Sequence, residues 1–160
     1  MNTKKIIDYS MLLAMSVVLG IIDSFIPVLF VGFKLGLANI VIIYTLYKFG
    51  FKDAIIISLL RVVLVSILRT GLFSITFYFS ITGAFFSIIM MYLFKFSKLS
   101  IIGVSIIGSI SHIIGQVIIA YILLNTISIF MMLPYLIIIS SITGLIIGII
   151  SLEIIEKVKI

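Results

Sequence analysis

Long apolar runs separated by short polar knots dominate the chain. The first run goes from Tyr9 to about Val31, behind a polar head holding Lys4, Lys5 and Asp8. Asp23, Ser24 and Pro27 interrupt it, and proline both lacks an amide hydrogen and restricts the residue before it, so the helix is expected to end or bend there. Residues 31–36 read as a loop. A second run goes from about Leu35 to Tyr47 and stops at the knot Lys48-Phe49-Gly50-Phe51-Lys52-Asp53. The third spans Ala54 to about Thr70, with Gly71 as the break. The fourth spans Leu72 to Phe94, the fifth Ile101 to Leu124, and the sixth Ile127 to Ile155 with Pro134 in its first third.

A helix needs about 20 apolar residues to cross a bilayer, so these runs predict an all-α, polytopic bundle of six membrane helices. The second is the weakest, short enough to be tilted or partly re-entrant. The runs are continuous and do not alternate, which excludes a β-barrel. A lone strand in lipid would leave its backbone unpaired, so even isoleucine-rich runs must be helical. Residues 1–160 form one transmembrane domain, with no linker, low-complexity tail or convincing internal repeat. The lysines before the first oily run mimic a signal peptide. No small-x-small cleavage site follows, so this segment is expected to stay as the first helix.

Composition sharpens the membrane reading. Of the 160 residues 64% are hydrophobic and 10% are charged, against about half and about a quarter in soluble domains. The net charge of +6 marks topology rather than nucleic-acid binding, because the lysines come in pairs between oily runs. With the N-terminus inside, Lys4, Lys5, Lys48, Lys52, Lys95, Lys98, Lys157 and Lys159 fall on the inner side, and only Lys34 and Arg69 on the outer. Basic residues favour the cytoplasmic side. Both termini are therefore expected in the cytoplasm, with the chain in the cell membrane.

Several chemistries have no residues to use. There is no cysteine, hence no disulfide, thiolate or Cys-based zinc site. The single histidine has no clustered carboxylates, so no metal is expected. No phosphate loop is present, no Asp-rich pair can hold magnesium on a diphosphate, and no Ser-His-Asp order occurs. An enzyme is not expected, and no cofactor is called for.

Polar groups inside the oily runs carry the remaining information, since a charge near the bilayer centre costs about 2.5–3.5 kcal/mol on insertion scales. Arg61 lies about 12 Å into the third helix. It is either a substrate anchor or, as favoured here, a structural buried charge tying helices together. Asp23 either pairs with Arg69 or Lys34, or ends a solvated helix. His112 and Gln116 are four apart and share a helix face, near Gly108, Ser111 and Gly115. They either bond neighbouring helices or line a notch that a ligand fills; ligand contact is favoured. Ser140, Gly144 and Gly148 suit internal close packing, whereas Ser10 and Ala14 suit contact with another membrane protein.

The strings Lys34-Leu35-Gly36-Leu37-Ala38-Asn39, Ser80-Ile81-Thr82-Gly83, Gly103-Val104-Ser105 and Ser111-His112-Ile113-Ile114-Gly115-Gln116, with Arg61 between them, resemble the Gx transporter family. That family is also labelled component I of heptaprenyl diphosphate synthase, and it is similar to the substrate-binding S components of energy-coupling factor (ECF) transporters. The resemblance covers about Leu13 to Gly148. It implies six helices, both termini in the cytoplasm, and a cavity near the outer face covered by the first outer loop. It also implies a T component and two ATPases as partners, docked on small residues of the first helix, here Ser10 and Ala14. On this reading the chain binds a small vitamin-like or isoprenoid-related molecule. Lys34 and Asn39 belong to the lid, Arg69 supplies charge at the mouth, and Tyr78, His112 and Gln116 orient the ligand. The rivals are a membrane subunit of a prenyl diphosphate synthase and a structural partner without a ligand.

Overall fold

The computed structural model describes residues 3–25 and 36–158; Lys34, Leu35 and Pro27 lie outside the described residues. Within them the chain forms α1 (Thr3–Phe25), α2 (Asn39–Lys48), α3 (Phe51–Val65), α4 (Ile75–Lys95), α5 (Ile101–Leu124) and α6 (Leu133–Val158). A π-helical turn over Ser66–Thr70 extends α3, and a 3-10 segment over Ile127–Met132 precedes α6. Four described stretches are long and apolar enough to cross a membrane: Lys5–Phe25, Ile75–Lys95, Ile101–Leu124 and Ile127–Val158.

Local chemistry sets the ends. Ser74 caps α4 by accepting from the Phe77 amide at 3.2 Å, which moves its start from the expected Leu72 to Ile75. Ser100 caps α5 in the same way on Gly103, and Asn125 closes it in the left-handed conformation. Such caps satisfy backbone groups that a helix end leaves open. Pro134 sits in the first turn of α6, where its missing amide hydrogen costs nothing. The expected single run from Ile127 to Ile155 is therefore a tighter 3-10 turn followed by α-helix.

α5 is the central partner of α4 and α6, and α3 packs on α4 and α1. Two sets of small residues allow this. Gly144 and Gly148 lie against the backbone of Ile106 and Ile102, so close that an added Cβ would come within 2.8 Å of each Cα. The Ser105 hydroxyl donates to the Gly144 carbonyl at 2.8 Å across that interface. On the other side of α5, Gly115 meets the Thr82 carbonyl and Gly83 of α4. The stripe Ser140, Gly144 and Gly148 thus serves internal packing.

α2 is only 10 residues long, about 15 Å at the helical rise and half of a bilayer core. It is surrounded by protein: Ile42, Ile43 and Leu46 form one core cluster with Ile57, Ile88, Val104 and Ile147. Thr45 keeps its buried hydroxyl satisfied by donating to the Val41 carbonyl at 2.7 Å. α1 is the opposite case. Met11, Met15, Val18, Ile22 and Phe25 make a continuous exposed apolar face, and Ser10 and Ala14 are exposed too.

The first turns of α1 and the last turns of α6 share one end of the bundle, here the terminal end, where Asp8 and Val158 line one groove and Lys5 of α1 pairs with Asp53 of α3 at 3.5 Å. Lys95 reaches the Leu46 carbonyl there at 2.8 Å. The π-helical turn, Gly71 and Asn125 mark the far end.

Candidate functional site

Toward the far half of the bundle, four helices and one turn bring polar groups to a single small cavity. Its lining includes Asp23 and Gly20 from α1, Arg61 from α3, Ser80 from α4, His112 from α5, and Gly36 from the turn before α2. Asp23, Arg61, Ser80 and His112 are each at most 6% exposed. Sequence spacing accounts for the convergence. Arg61 is 10 residues from the start of α3 and His112 is 11 from the start of α5, so at 1.5 Å per residue both lie about 15 Å above the terminal end.

Arg61 and Asp23 carry opposite charges that act on each other across the cavity. A buried ion needs such a partner, because desolvating it alone costs several kcal/mol. Asp23 Oδ2 also accepts from the Gly36 amide at 2.8 Å. Gly36 has φ +83°, a region that a side chain disfavours. An added Cβ there would also come within 3.1 Å of the Asn39 amide nitrogen. The Asp23 carboxylate thus ties the end of α1 to the start of α2, with Asn39 buried beneath the turn.

Gly83 shapes the other wall. A Cβ on it would come within 2.9 Å of the His112 ring and 3.0 Å of Gln116 Cγ, so glycine is what lets α4 approach α5 at this level. Gln116 is 0% exposed, and neither its amide nitrogen nor its amide oxygen has a hydrogen-bond partner among the described residues.

The structure groups the sequence-derived residues differently from the expectation. His112 lines the cavity, Gln116 lies one turn along the same helix, and Asn39 backs the turn. Arg61, read as a strut, lines the cavity itself. Tyr78 does not line it. It packs with Phe77, their rings 5.6 Å apart, on the cluster of Val62 and Ala84, whereas Ser80, two residues and about 200° further round the helix, faces the cavity. Arg69 is exposed at the far end. Its Nε donates to Ser24 Oγ at 3.1 Å and its guanidinium covers the Phe25 ring at 3.9 Å. Of the two readings of Asp23, an ion pair with Arg69 or Lys34 or a solvated helix end, the second does not hold: Asp23 is 3% exposed and faces Arg61 across the cavity. Lys34 lies outside the described residues. Asp23, Ser80 and Gly83 enlarge the site; of these, Ser80 and Gly83 were visible only as part of a short polar string.

A family profile described as heptaprenyl diphosphate synthase component I matches residues 12–154. No curated protein and no solved structure matches the chain.

Proposed function

The chain belongs to the heptaprenyl diphosphate synthase component I family, and from that premise we propose that it is the substrate-binding component of an ECF-type transporter. In this reading six helices cross the cell membrane with both termini in the cytoplasm. A small vitamin-like or isoprenoid-related solute enters from outside, and a T component with two ATPases supplies the energy. The chain itself catalyses nothing.

One observation carries the reading: a charged and hydrogen-bonding cluster converges on a cavity in an otherwise oily bundle, beside the unmatched Gln116 amide. Intramembrane ionisable groups are costly and are retained at substrate or ion pathways. Asp23 with Arg61 offers one carboxylate and one guanidinium, and Ser80, His112 and Gln116 offer neutral hydrogen bonds. That set suits a polar, uncharged or zwitterionic group. The cavity is about 20 Å³, room for a single water. Capture of a larger solute therefore requires α1 and the Gly36 turn to part from α4 and α5. α1 is the helix suited to move, since most of its surface is exposed, and Ser10 and Ala14 present it to the T component.

The test is a thermal-shift screen of the purified chain against water-soluble vitamins and short prenyl compounds. At least one should raise the melting temperature of the wild type and fail to do so with His112→Ala. A panel without a single shift would refute capture.

The family's description favours a second reading, a membrane subunit of heptaprenyl diphosphate synthase. Adding the chain to a catalytic prenyl synthase subunit should then change product length or rate. Unchanged products would remove that reading.

A further inference from the structure

A second concavity lies at the terminal end, between α1, α2 and the last turns of α6. Its volume is about 370 Å³, within the range of small-molecule sites. Leu12 and Leu19 of α1, Val41 of α2 and Ile154 of α6 form its walls. From Asp8 to Leu19 it follows α1 for about 16 Å. Met11 and Met15 line it and are still 61% and 55% exposed, so the groove opens sideways to the bilayer and is not an internal chamber.

Charge enters the lining only at Asp8 and Lys48. Both belong to the lysine-rich terminal end, the level of lipid headgroups in a spanning bundle. Lys48 donates to the Tyr44 hydroxyl at 2.8 Å and lies over the Tyr44 and Phe49 rings at 5.2 and 5.3 Å, neutral partners that bring no counter-charge. Among the described residues neither Asp8 nor Lys48 takes part in an ion pair. The groove therefore offers an apolar slot with one negative and one positive group at its mouth.

We propose that this groove binds one acyl chain of a zwitterionic phospholipid carrying a primary ammonium, with the phosphate on Lys48 and the ammonium on Asp8. Charge complementarity selects this occupant. A purely anionic headgroup would meet the Asp8 carboxylate, and a prenyl diphosphate, with more charge, would meet it at greater cost. A quaternary ammonium has no hydrogen to donate, whereas a primary one makes a charge-assisted hydrogen bond to the carboxylate. The lipid would fill the space between α1 and α2 and so support the helix that is least held by the rest of the bundle.

The experiment is native mass spectrometry of the full chain in detergent with equimolar phosphatidylethanolamine, phosphatidylcholine and phosphatidylglycerol of matched acyl chains. One phosphatidylethanolamine should remain bound at activation energies that strip the other two. Asp8→Asn and Lys48→Gln should each weaken it at least tenfold, and both lie at the groove mouth, where folding is not at stake. Leu19→Trp, which fills the deep end, should reduce retention of every lipid. Equal retention of phosphatidylglycerol, an unchanged preference in Asp8→Asn, or displacement of the lipid by farnesyl diphosphate would each overturn the proposal.

Discussion

Replacing Gln116 by methionine separates stability from binding. The Gln116 amide is fully buried and its two polar atoms lack partners among the described residues. Leaving such a group unsatisfied costs about 1–3 kcal/mol. Methionine has a similar length and volume, and swaps of this kind disturb packing by less than about 1.5 kcal/mol. The net effect of Gln116→Met is stabilisation of up to about 2 kcal/mol. For a chain of this size that raises the melting temperature by about 2–4 °C per kcal/mol. The same change removes a donor and an acceptor next to His112, so a ligand that shifts the wild type should shift the variant little. Paired melting curves in detergent, with and without that ligand, read both effects. A ligand-free melting temperature that falls by several degrees would show that the amide is already satisfied, and the argument from its isolation would fail.

Other substitutions probe the same architecture. Gly144→Ala should destabilise by about 1–3 kcal/mol, because its Cβ meets the Ile106 backbone. Gly108→Ala should cost a comparable amount, since its Cβ would come within 2.5 Å of Cγ of the buried Met91; unfolding curves of the two variants compare them directly. Arg61→Met should cost about 3–5 kcal/mol by removing the guanidinium that faces the buried Asp23 carboxylate, and adding Asp23→Asn should restore part of the loss. Arg69→Gln should lower stability by about 0.5–1 kcal/mol through its exposed contact with Phe25, and leave the ligand-induced shift intact. A reporter fused to the C-terminus should be active only in the cytoplasm; activity outside would invert the proposed topology.

The helical plan was legible because lipid allows so few alternatives. The limits of α5 follow directly from Ser100 and Asn125, and the internal role of Gly144 and Gly148 follows from their spacing. The site was less legible. Helical periodicity placed His112 and Gln116 on one face, but no one-dimensional pattern says which other helix that face meets. Asp23 looked terminal from its neighbours Ser24 and Pro27, yet the α1 face holding Ser16 and Gly20 turns it inward. Tyr78, assigned to the ligand only through the family resemblance, is taken by its azimuth on α4 to the Phe77 cluster. Ser80, a smaller and less conspicuous residue, has the azimuth that reaches the cavity.

The burial of α2 bears on how the protein is made. Ten residues cannot cover the oily thickness alone, and their ends would stay hydrated if they entered the lipid first. The turn at Gly50, with φ +100°, joins α2 to a longer helical path, so the two can be threaded in together as a hairpin. Even then, the contacts that enclose Ile43 and Leu46 come partly from α4 and α6, which leave the ribosome later. The second helix therefore reaches its final seat only after the last one has arrived, and a nascent chain halted before Leu133 should expose it to proteases.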